Sequence, residues 1–515
     1  MDHRRRLVVN IFSNWTRYAV AFTVVFLLNP FVISSLGKVQ YGLWAWVGSS
    51  LTFLSLLDLG AQQATVRFVA ARTRANDPEG VRAVFNVSQR FFAVLAAVIV
   101  VATVVIALLF YRFFPESRAA KGWDPMVSSL TVLLVGLNLA ATMLFAPWNA
   151  VLFGKQRFEW SNGPTILALL LRAGLLLFFL SRGAGVLTLG FVMLLETFVR
   201  AGLQIWAVRR SFTEVHLDRQ AGDLALLRKL ATYSAYALLI TAASKVTNHS
   251  PLVVLGLFGQ PEDVTVYSQP LALYNNLGEV IWALAMVFVP FVSALEESGR
   301  LDQIRSLVPK GARYCLLVAA PILFFFLVFG REFLYAWQHW RPDSEDNRNA
   351  YLALALLSVG ALLQVAAQVP QAALLGMARH RPLGLIYAVE AILNVTISVS
   401  LVRSYGILGV ALGGAIPPIL SNGILLPIIS RNALGISPVR FFRESILPVA
   451  VSSIPAGIAS YLFAKELIPI VGRATLLLAA AVVGSSFALS ALFLGVPPED
   501  RRAVFRWLLR RRDPA

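Results

Sequence analysis

Cysteine is almost missing from this chain of 515 residues: Cys315 is the only one. A single thiol excludes an internal disulfide and any cysteine-based metal site. Charge is scarce as well, with Asp, Glu, Lys and Arg at 14% of residues against about a quarter in ordinary soluble proteins. The five histidines are scattered, His249 and His339 among them, and there is no P-loop to bind a nucleotide. Long polar loops are missing too. The stretches 115–126 and 339–348 are too short to fold as a catalytic domain outside a membrane, and they hold no Asp-x-Asp pair for a metal-bound sugar donor.

What remains is apolar. Hydrophobic residues make up 57% of the chain, which places it in the polytopic membrane class. The net charge of +18 would suit nucleic acid, but the basic residues lie between apolar runs instead of on one domain, so nucleic-acid binding is not expected. Residues 1–7, MDHRRRL, look like the start of a signal peptide. The apolar run that follows is too long and lacks a small-residue cleavage site, so it reads as a retained first span.

Apolar runs of about 20 residues give fourteen candidate spans. The first two cover 8–35 and 40–71, the seventh and eighth 229–258 and 263–295, and the eleventh and twelfth 383–403 and 406–430. With the amino terminus in the cytoplasm, roughly 28 Lys and Arg fall on that side and roughly 11 on the other. Both termini are then cytoplasmic. An offset of roughly 220 residues relates two copies of a pattern, Leu36-Gly37 followed by Asp58 and Phe258-Gly259 followed by Glu279. The predicted fold is all-α, with two six-helix lobes in a parallel pseudo-twofold repeat facing a cleft. Its parts are an N-lobe at 1–210, a linker at 211–228, a C-lobe at 229–432, a final helix pair at 433–498 and a basic cytoplasmic tail at 499–515. The tail suits either a helix on an anionic leaflet or a plain topology anchor.

Polar residues inside spans are costly and mark candidate function. In the second span Tyr41, Trp44, Gly48, Ser55, Asp58 and Gln62 fall on helical steps and share one face. Asp58 has an alternative reading as a buried helix-to-helix bonder, and Arg67 as a snorkelling residue. Asn10, Ser13, Asn14 and Arg17 form a stripe on the first span, and Thr241, Ser244, Lys245 and Asn248 repeat its spacing on the seventh. Further stripes carry Asn138 and Asn149, Ser161 and Arg172, Asn275, Glu279 and Trp282, Gln364, Gln368 and Gln371, and Glu390, Asn394 and Ser398. Each stripe alone is equally well explained as glue between helices. Glu196 and Arg200, four apart, are expected to pair. That leaves Arg17, Arg172 and Lys245 as mid-span cations with no partner nearby in sequence. Such cations suit a phosphate or diphosphate, and the amides and aromatics around them suit sugar hydroxyls and ring faces.

The segments LGKVQYGLW, SLLDLGAQQATVRFVA, LVVLGLFG, YSQPLALYNNLGEVIWALAMVFVPFVSAL and YAVEAILNVTISVSLVRSYGILGVALGGAI give the chain a resemblance to the Wzx-type oligosaccharide flippases of the multidrug/oligosaccharidyl-lipid/polysaccharide (MOP) superfamily. The resemblance runs from about Leu7 to Gly495. It implies a V-shaped cationic cavity and export of an undecaprenyl-diphosphate-linked oligosaccharide from the cytoplasmic to the outer leaflet of a bacterial inner membrane. Asn14, Arg17, Gln62, Arg172, Lys245, Asn248, Asn275, Trp282, Gln368 and Asn394 are then candidates for substrate binding. Asp58, Glu279 and Glu390 are candidates for coupling to a proton or sodium gradient. No metal or other cofactor is expected, and other polysaccharide-assembly proteins are expected partners. The rival readings are a lipid II flippase, a membrane glycosyltransferase or polymerase acting on lipid-linked sugars, drug export, and a scaffold for biosynthetic enzymes.

Overall fold

A computed structural model of the protein describes residues 3–113, 122–218, 235–341, 343–467 and 473–502. The parts of the loop at 115–126, the linker at 211–228 and the basic tail that fall outside these ranges are not described. Among the described residues the structure is helical, with no strand. Eleven helical stretches among the described residues are long and apolar enough to cross a membrane. The chain divides into two compact units, Met1–Thr265 and Val266–Ala515.

The first unit begins with α1 (His3–Thr52), which is two helices joined at Gly37. Gly37 has φ 78° and ψ 162°, a conformation open essentially to glycine alone, so the Leu36-Gly37 boundary read from the sequence is a real break. A 3₁₀ turn, Phe53–Asp58, and left-handed Leu59 and Gly60 precede α2 (Ala61–Arg74). The expectation of one continuous helix through Asp58 and Gln62 is therefore corrected. Two successive left-handed residues stop the helix, and Ser55, Asp58 and Gln62 do not continue the face of Tyr41 and Trp44. The unit goes on through α3 (Pro78–Arg112), α4 (Pro125–Gly154), α5 (Phe158–Leu180), α6 (Leu187–Ser211) and α7 (Ala235–Phe258). Asp77 and Asp124 cap α3 and α4 by accepting from Gly80 N and Val127 N at 2.8 and 2.7 Å, each with proline at the first helical position. α4 packs against α2, α3 and α6, while α1 packs against α5 and α7. The indole of Trp46 donates to Val253 O at 3.3 Å and fixes α7 along α1.

The boundary between the units falls in α8 (Pro261–Ala285). The second unit continues with α9 (Phe288–Glu297), α10 (Leu301–Gln338), α11 (Glu345–Gly376) and α12 (His380–Leu420). α12 is broken at Gly406, where φ is 53° and ψ −126°. A π-helical turn at Ser421–Leu425 leads into α13 (Leu426–Leu434). The short α14 (Pro438–Phe441) and a second π turn at Phe442–Ile446 precede α15 (Leu447–Leu467) and α16 (Arg473–Ser490). α11 lies against α9, α10 and α12 and forms the centre of the unit. Its backbone comes so close to α12 that a Cβ on Gly360 would sit 3.0 Å from the Ala415 backbone. Small residues at such crossings let membrane helices gain packing energy where lipid offers no hydrophobic drive. Cys315, 3% exposed, is packed in this core.

Candidate functional site

In the first unit, a cavity of about 210 Å³ is lined by Asn29, Tyr41, Trp44, Arg172, Leu176 and Met193, among others. The hydroxyl of Tyr41 donates to Asn29 Oδ1 at 2.8 Å. The Arg172 guanidinium donates through Nη1 to Glu196 Oε2 at 3.0 Å, while its Nε is buried and has no hydrogen-bond partner. The expected Glu196–Arg200 pair is thus corrected. α5 sets Arg172 opposite Glu196 on α6, and Arg200 acts on Glu196 only through its field. What remains at Arg172 is one unpaired donor beside a tryptophan and a tyrosine, a combination able to bind an anionic or hydroxyl-rich group. Asn29 was not singled out from the sequence. Its only signal there is the Asn29-Pro30 pair seven residues before Gly37.

A second cluster surrounds the broken second span. Asp58 Oδ1 accepts from the backbone N of Gln62 at 3.1 Å, so the carboxylate closes the first turn of α2. It also interacts through space with the ammonium of Lys245 on α7, and Lys245 in turn acts on His249, one turn along. Lys245, which has no partner nearby in sequence, thus has a carboxylate acting on it from a distant part of the chain. Gln62 and Asn248 are half-buried, and the Arg17 guanidinium lies 4.2 Å from the Tyr18 ring centroid.

Several stripe residues turn out to join helices. Asn162 Nδ2 donates to Asn14 Oδ1 and Ser13 Oγ at 2.7 and 3.0 Å, and Ser161 Oγ donates to Asn149 Oδ1 at 2.6 Å. Thr197 Oγ1 donates to Asn138 Oδ1 at 2.8 Å. In the second unit, Gln368 Nε2 reaches Gly278 O at 3.2 Å, and Asn394 Nδ2 reaches Gly413 O at 2.8 Å across the Gly406 break.

The three candidate coupling carboxylates differ in their surroundings. Glu279 is exposed. Glu390 is 4% exposed, and its Oε2 accepts from Ser421 Oγ at 2.9 Å, at the first residue of the π turn. The neighbouring polar groups form short chains. Tyr387 Oη donates to Gln371 Oε1 at 3.1 Å, Gln371 Nε2 donates to Asn422 Oδ1 at 3.0 Å, and Tyr274 Oη donates to Gln364 Oε1. π turns inside helices recur at functional sites, and this one carries two members of the network. Asn275 is half-buried on α8, and Trp282 lies against the unit's apolar core. Among the described residues no group of three His, Cys, Asp or Glu could hold a metal ion.

An all-helical bundle with carboxylates and cations in its spans defines a polytopic membrane protein. The polysaccharide biosynthesis protein family's sequence model matches residues 7–296, more than half of the chain, and the chain belongs to that family. A candidate O-antigen transporter of Shigella flexneri is 19% identical over 425 residues, covering 81% of this chain and 96% of the relative. The fold is similar to that of the lipid II flippase MurJ in an inward closed conformation, with a TM-score of 0.69 at 11% identity over 94% of this chain and 98% of that one. It is also similar to an inward-facing multidrug resistance MATE family transporter of the MOP superfamily, with a TM-score of 0.61 at 16% identity over 82% and 94% of the two chains. The chain is a transporter of polysaccharide biosynthesis and not an enzyme.

Proposed function

We propose that the protein moves an undecaprenyl-diphosphate-linked oligosaccharide from the cytoplasmic to the outer leaflet of a bacterial inner membrane by alternating access, for assembly of an O-antigen, capsule or exopolysaccharide. The observation that carries the reading is Arg172, which keeps one unpaired buried donor beside Trp44 and Tyr41 in a cavity of a family member. A guanidinium suits a phosphate oxygen or a sugar hydroxyl, and the aromatic faces suit a sugar ring. Arg17, Lys245, Gln62 and Asn248, in the same unit, are its further candidate contacts. Asn275 and Trp282 are the second unit's candidate sugar contacts. A fourteen-helix, two-lobe arrangement is consistent with the eleven stretches, because two of them contain the breaks at Gly37 and Gly406 and α7 lies outside them.

Coupling to a proton or sodium ion needs a carboxylate that changes its charge inside the membrane. Glu390, buried with one oxygen bonded to Ser421, fits that task better than exposed Glu279. Asp58 is the first unit's counterpart.

The test is leaflet exposure of a labelled undecaprenyl-diphosphate oligosaccharide in proteoliposomes, with and without an imposed pH or sodium gradient. Protein-dependent, gradient-sensitive transfer is expected, and Arg17→Ala or Lys245→Ala should slow it at least tenfold at an unchanged amount of protein. Glu390→Gln should abolish the gradient effect. Transfer of lipid II in place of the oligosaccharide would reassign the substrate. A change in glycan length without transfer would refute transport.

A further inference from the structure

A well-formed cavity of the second unit has none of the residues assigned above to the substrate in its lining. It measures about 490 Å³ and lies between α11, the π turn and α13, and the α14 corner. Leu363, Ala366, Leu426, Ile436, Phe441 and Ile446 make most of its wall apolar. Two polar side chains line it, Asn422 and Ser430, each 6% exposed. Asn422 Nδ2 and Ser430 Oγ are both buried and without a hydrogen-bond partner. Two unmet donors in an otherwise greasy wall call for an occupant with acceptor oxygens partway along an aliphatic body, since such groups are costly to leave unpaired.

The corner beside the cavity is strongly basic. Arg305 Nε and the Arg379 guanidinium donate to the last carbonyls of α13, Leu434 O and Ala433 O, and Arg313 donates to Glu444 O. Arg440 pairs with Glu444 at 2.8 Å, and Arg305 pairs with Asp302 at 2.8 Å. Arg431 follows lining residue Ser430, and Arg443 follows lining residue Phe442. Both are exposed and, among the described residues, neither makes an ion pair. Six arginines thus face two acids around one short turn.

We infer that this cavity is a binding site for an anionic glycerophospholipid of the surrounding bilayer. An acyl chain fills the apolar wall, the ester carbonyls accept from Asn422 and Ser430, and the phosphate lies at Arg431 and Arg443. The volume is within the range of pockets that enclose an organic ligand. Basic pockets between membrane helices are the usual receptors for anionic headgroups. The inference does not depend on which lipid the protein transports.

Native mass spectrometry of the full-length protein in detergent tests it, with phosphatidylglycerol, phosphatidylcholine of the same chains, and undecaprenyl phosphate as probes. Phosphatidylglycerol should be retained at one molecule per chain with at least tenfold preference over phosphatidylcholine. The double substitution Arg431→Gln/Arg443→Gln should remove most of that preference, and Ala366→Leu, which occupies the wall, should lower retention of both phospholipids. The two arginines are exposed, so their variant decides the matter if Ala366→Leu fails to fold. Equal retention of the two phospholipids, or unchanged preference in the double variant, overturns the inference. Displacement of phosphatidylglycerol by equimolar undecaprenyl phosphate also overturns it, by giving the cavity to a polyprenyl chain.

Discussion

Arg172 has two duties: one nitrogen holds α5 to α6 through Glu196, and another is unpaired beside Trp44. Removing the guanidinium leaves Glu196 as a nearly buried carboxylate, a loss on the order of 3 kcal/mol. Arg172→Ala should therefore melt at lower temperature in detergent, and adding Glu196→Gln should recover much of the loss without restoring transport. Sequence spacing pointed to Arg200 for Glu196 because it sees only neighbours on one helix. A partner 24 positions away on another helix leaves no trace in a single chain. Lys155 and Glu214 make a similar long-range pair outside the spans. Burial pushes the Glu214 carboxyl up, but the hydrogen bond and charge of Lys155 and a backbone hydrogen bond outweigh it and hold the group below its usual range. A carboxyl whose folded value is depressed stabilises the fold above its unfolded value, about 4.3, and loses that contribution as pH falls through the folded value. Hydrogen exchange of residues 212–218, corrected for intrinsic rate, should be flat from about pH 7 to 5 and rise below about pH 4. Glu214→Gln should exchange faster near neutral pH and lose that dependence.

At the scale of elements, the breaks matter more than the helices. Gly37 and Gly406 have positive φ, and a Cβ at either would meet nothing within 4 Å, so any penalty for a side chain comes from the backbone alone. Gly37→Ala should cost about 1–3 kcal/mol. Gly48→Ala, in regular helix and also free of neighbours, should be neutral or stabilising by up to about 1 kcal/mol. Thermal melting of the two variants side by side checks both. The first break was legible, because Leu36-Gly37 interrupts an apolar run too long for one crossing. The break at Phe53–Gly60 was not, since Leu59 is an unremarkable apolar residue and its left-handed backbone leaves the hydropathy unchanged. The stripe reading failed there for that reason. Some stripes marked buried polar residues, Gln368 and Gln371 on α11 and Glu390, Asn394 and Ser398 on α12, while Glu279 on α8 is exposed; periodicity cannot tell a residue bonded to the next helix, such as Asn394, from one waiting for a ligand.

At the scale of the whole molecule, composition alone gave the membrane class, because no soluble fold accommodates so few charges among so many apolar residues. The distribution of Lys and Arg predicts which side each loop occupies, and that prediction is open to direct measurement. With the amino terminus inside, Asn76 and Gly299 lie in loops on the cytoplasmic side. Residues placed there as cysteines should react with an impermeant maleimide in inverted vesicles but not in intact cells, and the opposite pattern would reverse the orientation. The molecule is already prepared for such work. Its sole native thiol, Cys315, is sealed in the core of the second unit, so the natural sequence serves as a silent background for chemical labelling. A spin label or fluorophore attached to any introduced cysteine would report on that position alone, and distances could be followed through a transport cycle without first removing a residue from the fold.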